Sequence, residues 1–464
     1  MIKKEKVLVI ITDGVGLKNF SYTKFPDLLK SKGFEFNYWN STPFNLEKLG
    51  IPSIPLTRNV PLKTDLLKRA KIDIELDSFS KKFKSNVYHY FKSSKKSTNI
   101  KSFVKNLIVN FYKIKYKNSL GNLLLSLDRS VMNSKHYQDT FKIIKYQSPS
   151  LLFCTNQRSS NLILPLFVAK KLKIPTVCFI FSWDNLPKAT KIVSTDYYLV
   201  WSDFMKNELL QYYPNILERQ IHVVGSPQFE PHFTSTVNDL KNFKIKYNIK
   251  ANVKYILFSG DDITTSPKDE QYLEAVCDAV SQINSKSSFR IEILFRRCPV
   301  DFSARYDQAI KKHSSILTEI KPYWEKQGAA WNSIMPTKAD PTLLANTISV
   351  CDLVINLGSS MVFDAACHNK PCAYINFNPN GIDIRKWSVE KIYSFIHFKS
   401  MPNKDAVIWL NSKEEMKDKI LEGLNNPHKY VHNAKKWFEI INQHPPQKAT
   451  ERIVGALKTI LYKS

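Results

Sequence analysis

The feature that most constrains this chain is a repeated alternation. Short, continuous apolar runs rich in β-branched and aromatic residues are separated by stretches with helical periodicity. The first series of runs lies at Val7–Thr12, Phe34–Trp39, Leu151–Cys154, Thr176–Phe181, Tyr197–Trp201 and Ile221–Val224. A second series lies at Tyr255–Ser259, Arg290–Phe295, Leu317–Ile320, Leu353–Asn356, Cys372–Phe377 and Ala406–Leu410. Strands that are apolar along their whole length, rather than at every second residue, are buried on both faces, which is the signature of a parallel sheet covered by helices. Helical patterns fit between them, for example at Asn161–Lys173, Phe204–Tyr213, Glu270–Ile283, Met361–His368 and Lys413–Leu424, with two more near Val431–Ile441 and Ala449–Tyr462.

A length of 464 residues exceeds one ordinary core and suits two domains. A polar, Lys-rich stretch near Asn238–Val253 separates the two series. The expected organisation is an N-terminal Rossmann-like domain over 1–235, a C-terminal one over 250–430, and C-terminal helices over 431–464 packing across both. Two such domains would face a central cleft at the carboxyl ends of their strands, where doubly wound sheets bind ligands.

The net charge of +27 favours anionic partners. No zinc spacing, RNP-like strand or basic heptad helix accompanies it, so nucleic acid is not an expected partner. The charge is concentrated in Lys81–Asn118, which holds eleven Lys and no Asp or Glu, interleaved with aromatic and aliphatic residues. Such a segment suits an anionic membrane surface; the plainer alternative is a solvated helical insertion in the first domain. The seven cysteines are scattered with no CxxC pair, the pattern of reduced thiols. The apolar run after Met1 is too short for a signal sequence, and no stretch is long enough to span a bilayer. The expected location is the cytoplasm, either free or peripheral on the inner face of the cell membrane.

Candidate chemistry lies at strand ends. In Asp352–Pro371, DLVINLGSSMVFDAACHNKP, a strand ends at Asn356 and a helix begins near Ser360. Gly358 allows close backbone approach. Free amides of Ser359, Ser360 and Met361 at a helix start would suit a diphosphate, and Asp364, one turn on, would reach a ribose hydroxyl. An ordinary serine cap is the plainer reading. Ile291–Pro299, IEILFRRCP, offers Arg296 and Arg297 as phosphate contacts. Tyr255–Asp262, YILFSGDD, places Ser259 and Gly260 after another strand. Its lone Asp pair is weak evidence for a metal, and none is expected. In the first domain, Phe179–Asn185, FIFSWDN, sets Trp183 beside Asp184 and Asn185, a combination suited to stacking on and hydrogen-bonding a sugar. In GSPQF, Gln228 is a cleft-lining candidate. Thr12–Gly16, TDGVG, lacks the third glycine of a dinucleotide fingerprint. Asp13, with Gly14 beside it, is the first choice for a general base, and Asp184 is the second. Asp13 is equally suited to capping the following helix, and His232 is a further candidate.

The run DLVIN-x-GSS-xxFDA with NKPCAYI after it resembles the donor-phosphate region of GT-B glycosyltransferases and of the CDP-glycerol glycerophosphotransferase-like group. Ser359, Ser360 and Asp364 match that pattern in place. FRRCP resembles an R-x-H-P element of the same families, with Cys298 where His is usual. The succession SWDN, YLVWS, GSPQF over Leu151–Phe233 is similar to bacterial surface-polysaccharide transferases. The resemblance implies a metal-independent GT-B glycosyltransferase. Its donor would be a nucleotide-sugar, with no other cofactor, and its acceptor a glycan or lipid-linked glycan. The alternatives are transfer of a polyol phosphate from a CDP-activated donor, a sugar-nucleotide epimerase of the same architecture, and a non-catalytic basic binding protein.

Overall fold

The computed structural model describes residues 5–56, 60–92, 99–328 and 333–463. Part of the basic segment, residues 93–98, therefore lies outside the described residues. The chain divides into two compact units. One comprises 1–227, 327–335 and 448–464, and the other 228–326 and 336–447.

The first unit holds a seven-stranded parallel sheet among the described residues. Its strands are β1 (Lys6–Ile11), β2 (Glu35–Asn40), β3 (Ser53–Pro55), β4 (Leu151–Cys154), β5 (Thr176–Phe179), β6 (Tyr197–Val200) and β7 (Ile221–Val223). They are ordered β3-β2-β1-β4-β5-β6-β7. Val7 pairs with Phe36 on one side and Leu151 on the other, and Val7 to Ile11 are fully buried. This is the two-faced burial that the uninterrupted apolar runs demand. Its helices are α1 (Gly14–Ser21), α2 (Phe25–Ser31), α3 (Leu62–Lys82), α4 (Ile100–Tyr116), α5 (Leu120–Met132), α6 (Tyr137–Gln147), α7 (Ile163–Lys171) and α8 (Asp203–Tyr212).

The 3-10 turn Pro227–Phe233 leads into the second unit at Gln228, and α9 (Val237–Lys246) follows. Its six-stranded parallel sheet comprises β8 (Val253–Ser259), β9 (Arg290–Arg296), β10 (Leu317–Glu319), β13 (Leu353–Asn356), β14 (Cys372–Ile375) and β15 (Ile408–Leu410). Two short strands, β11 (Trp324–Lys326) and β12 (Ile334–Pro336), belong to neither large sheet. The order β10-β9-β8-β13-β14-β15 is that of a Rossmann sheet, three strands wound one way and three the other. Helices α10 (Asp269–Asn284), α11 (Asp307–Lys312), α12 (Asp340–Val350), α13 (Met361–Cys367), α14 (Val389–Tyr393), α15 (Lys413–Asn425) and α16 (Pro427–Ile441) complete it. The two C-terminal helices part company: α16 belongs to the second unit, whereas α17 (Ala449–Lys463) belongs to the first and packs on α2. All seven cysteines are free thiols. Among the described residues, no helix is long and apolar enough to cross a membrane.

Candidate active site

Strand order singles out two places. A doubly wound sheet opens where its winding reverses, outside the carboxyl ends of the two central strands. In the second unit this point lies between β8 and β13, followed respectively by Gly260 and by Leu357–Ser360. In the first unit it lies between β1 and β4, followed by Asp13–Gly14 and by Thr155–Arg158.

The turn after β13 is tightly specified. Gly358 has φ +67°, and a Cβ there would stand 3.0 Å from the rings of both Phe398 and Tyr393. Both the left-handed backbone and the lack of space require glycine. Tyr374 donates to the carbonyl of Ser359 at 2.7 Å, and Tyr393 donates to the carbonyl of Ile375 at 2.7 Å. The buried Asn356 accepts from the Ser359 amide at 2.8 Å. This corrects the expectation of three bare amides: the Ser359 amide is already bonded, and the Met361 amide faces the Ser359 hydroxyl at 3.4 Å. The cause is local, because an Asn three residues back competes for the first free N–H. Ser360 makes no side-chain cap bond and is half-exposed.

The loops on either side of β13 join. Trp387 Nε1 donates to the carbonyl of Thr265 at 2.8 Å, and the Asn380 amide donates to Gln271 at 2.9 Å. Lys268 Nζ stands 3.1 Å from where a Cβ on Gly381 would be, and among the described residues no carboxylate pairs with it. Ser259 ends β8, and the buried Gly260 donates its amide to the carbonyl of Arg296 at 2.9 Å. A Cβ on Gly260 would meet the Tyr306 hydroxyl at 2.9 Å. Asp261 lies beside this turn, and burial, then Asp269 and Asp262, raise its carboxyl well above the usual range. Asp262 binds the amide of Thr264 and the hydroxyl of Thr265, as a turn cap does. Among the described residues, no His, Cys, Asp and Glu group that could hold a metal is present.

The arginines are placed differently from the expectation. Arg296 is buried and clamped onto Asp340 at 2.8 and 2.9 Å, and Asp340 also accepts from Trp324 Nε1 and the Tyr323 amide. Arg297 is paired with Glu319 and donates to the carbonyl of Ser303. Their charges are neutralised inside the unit, since a buried guanidinium requires a partner. Cys298 is held neutral, because burial pushes its thiol up to about 12. Asp364, expected at a ribose hydroxyl, is engaged within the unit. It accepts from His232 Nε2 at 2.7 Å, while His232 Nδ1 lies 3.0 Å from His368 Nε2. Burial, then the neighbouring His232, lowers the imidazole pKa of His368 to about 4.

In the first unit, Asp13 caps α1 by accepting from the Gly16 amide at 2.8 Å, and Thr12 donates to its other oxygen at 3.0 Å. Asn156, at the end of β4, donates to that same oxygen. Burial raises the Asp13 carboxyl above the usual range. Gly14 is buried at the first position of α1, and Gly16 packs so closely on Thr155 that a Cβ would stand 2.7 Å from its hydroxyl. Trp183 is only 6% exposed, which corrects the expected open stacking surface: a large indole gains most by burial. Asp184 pairs with Lys188 and accepts from Asn185 at 2.8 Å. The buried Asn185 accepts from Gln157 at 3.0 Å. Gln228 is half-buried on the turn that opens the second unit. Sequence reasoning missed Glu208. It is buried on α8, and burial, then the charge of Asp184, pushes its carboxyl up to about 8. Its Oε2 has no hydrogen-bond partner among the described residues. A single Glu on an amphipathic helix carries no sequence signal of its own.

With this geometry, the class of fold is defined as GT-B, built from two Rossmann-like units. The chain is similar in structure to MnaA of S. aureus, solved with UDP, at 13% identity over 99% of this chain and 97% of that one, with a TM-score of 0.55. It is likewise similar to a glycosyltransferase from Rickettsia africae, at 12% identity over 100% of both chains and a TM-score of 0.52. A UDP-GlcNAc 2-epimerase from Methanocaldococcus jannaschii matches at 13% identity over 98% of this chain and 100% of that one, with a TM-score of 0.52. No protein-family model matches the sequence, and no curated protein sequence matches it.

Proposed function

We propose that this chain is a glycosyltransferase that binds a nucleotide-diphospho-sugar at the carboxyl ends of β8 and β13. In this reading it moves the sugar to a glycan or lipid-linked glycan acceptor in cell-surface polysaccharide synthesis. The observation that carries the reading is the Gly358–Ser360 turn, held by Asn356 and Tyr374 at the winding reversal of a Rossmann sheet. Ligands of that sheet type bind there. The structural likeness to a protein solved with UDP supports a uridine nucleotide as the first candidate. Ser359 and Ser360 offer hydroxyls to the phosphates. Lys268, rather than the internally paired Arg296 or Arg297, supplies charge to the leaving diphosphate. Asp13 serves as base for the acceptor hydroxyl, its raised pKa bringing it nearer the working pH. Transfer from a CDP-activated polyol phosphate uses the same turn, and the neutral Cys298 thiol in place of an imidazole counts against it.

A second reading, epimerisation of the donor sugar without an acceptor, is favoured by one observation. Buried Glu208, whose Oε2 has no hydrogen-bond partner among the described residues and whose carboxyl is raised by burial and then by Asp184, offers a proton donor. Incubation with UDP-, GDP-, CMP- and dTDP-linked sugars, followed by NMR, separates the two. Transfer predicts nucleotide release that depends on acceptor. A new epimer with the diphosphate intact, formed without acceptor, favours the second reading. No turnover and no binding of any donor contradicts both.

A further inference from the structure

The helix α4 carries apolar residues on two sides, and only one side is used. Its inner face joins a core with α3 and α5: Val109 and Tyr116 are buried with Leu66, Leu67, Ala70 and Leu123, and Ile108 and Tyr112 pack alongside. The outer face presents Ile100, Phe103, Val104, Leu107, Phe111 and Ile114, with exposures from 47% at Val104 to 83% at Ile100. At about 100° per residue these six side chains share an arc of about 100°. About four turns of exposed aromatic and aliphatic surface are far more than the scattered apolar residues of an ordinary surface.

The charges divide in the same way. Lys113 on the inner side faces Asp73 and Asp77, and Lys92 pairs with Asp77. Lys101, Lys115 and Lys117, which flank the outer stripe, are exposed. No carboxylate pairs with them among the described residues. No acidic residue occurs anywhere between Asp77 and Asp128. A second copy of this chain would oppose like charge to like charge. A surface that is anionic outside and apolar beneath satisfies both features at once.

We propose that the outer face of α4 seats this protein on an anionic lipid leaflet, its apolar stripe in the headgroup–acyl boundary and its flanking lysines against lipid phosphates. The helix has 17 residues and lies parallel to the surface. The proposal stands independently of the enzymatic reading.

Vesicle co-sedimentation of the full chain tests it, using phosphatidylcholine alone and phosphatidylcholine mixed with phosphatidylglycerol. Binding is expected to favour the anionic vesicles by roughly fivefold for each engaged lysine and to weaken with salt. Lys101→Glu with Lys115→Glu is expected to cut that binding by roughly twentyfold or more. Leu107→Asp with Phe111→Asp is expected to abolish it. All four positions lie at the outer surface or its flanks, so circular dichroism and thermal melting should match the parent chain and separate lost binding from lost fold. Equal binding to both vesicle types, or unchanged binding of either variant, overturns the proposal. A concentration-dependent dimer that Leu107→Asp and Phe111→Asp dissolve, with no vesicle binding by the parent, also overturns it and assigns the face to self-association.

Discussion

Tyr374, on β14, donates its phenolic hydrogen to the carbonyl of Ser359 at 2.7 Å, and so this strand fixes the turn that leaves its neighbour β13. Removing that bond by Tyr374→Phe should cost about 1 kcal/mol, visible as a lower urea midpoint at unchanged slope. Gly358→Ala should cost about 1–3 kcal/mol, because it combines a positive φ with contacts to two rings at 3.0 Å. Both variants should also weaken nucleotide binding.

Arg296 and Asp340 make the contrasting prediction. The pair is buried and one guanidinium nitrogen bonds both carboxylate oxygens, so Asp340→Ala leaves an uncompensated guanidinium and should destabilise by about 3–5 kcal/mol. If the pair is internal, Arg296→Met with Asp340→Asn, whose amide oxygen still accepts from one of the Tyr323 and Trp324 donors, should recover part of that loss and keep nucleotide affinity within a few-fold. Calorimetric titration of the double variant checks this.

Asp13 has two roles that one substitution can separate. Asparagine keeps the cap on Gly16 but sets an NH2 where the second Asp13 oxygen accepts from Thr12 and Asn156, so Asp13→Asn should cost about 1–3 kcal/mol and still fold. It cannot take a proton, so the base assignment predicts a fall in kcat of about a hundredfold or more. A kcat within a few-fold of the parent would leave Asp13 as a cap alone.

Glu208 ties stability to pH. Its folded pKa, about 8, lies above the unfolded value of 4.5. The unfolded chain therefore releases this proton first, and the stability it contributes is present at low pH and lost as pH rises towards about 8. The slope is up to about 1.4 kcal/mol per pH unit for one proton. Glu208→Gln should flatten this part of the profile and be the more stable chain near pH 8. Denaturant midpoints measured across the interval decide it.

The sheets were legible because parallel strands announce themselves. Each of the twelve apolar runs overlaps a strand, and Leu151–Cys154 and Leu353–Asn356 match it residue for residue. The edge strand β3, Ser53–Pro55, was not legible, since three residues with a proline carry no apolar run. The turn after β13 was legible where it depends on local backbone, as at Gly358 with its positive φ. The site was not legible where it depends on distant partners. Arg296 meets Asp340 across 44 positions, and Asp364 meets His232 across 132. No spacing rule links residues so far apart. The burial of Trp183 was missed for the same reason: the pattern SWDN fixes what the indole could do, whereas the surrounding fold fixes whether it is exposed.

The most direct test of the donor site is thermal unfolding with UDP for the parent chain and for Ser360→Glu. Ser360 makes no capping bond, so the substitution should leave the free protein's melting temperature nearly unchanged while placing a negative charge where the phosphates would sit. UDP at about 100 times its dissociation constant should stabilise the parent by about 2.7 kcal/mol and the variant by almost nothing. An equal shift in both chains would contradict a diphosphate held at the turn after β13.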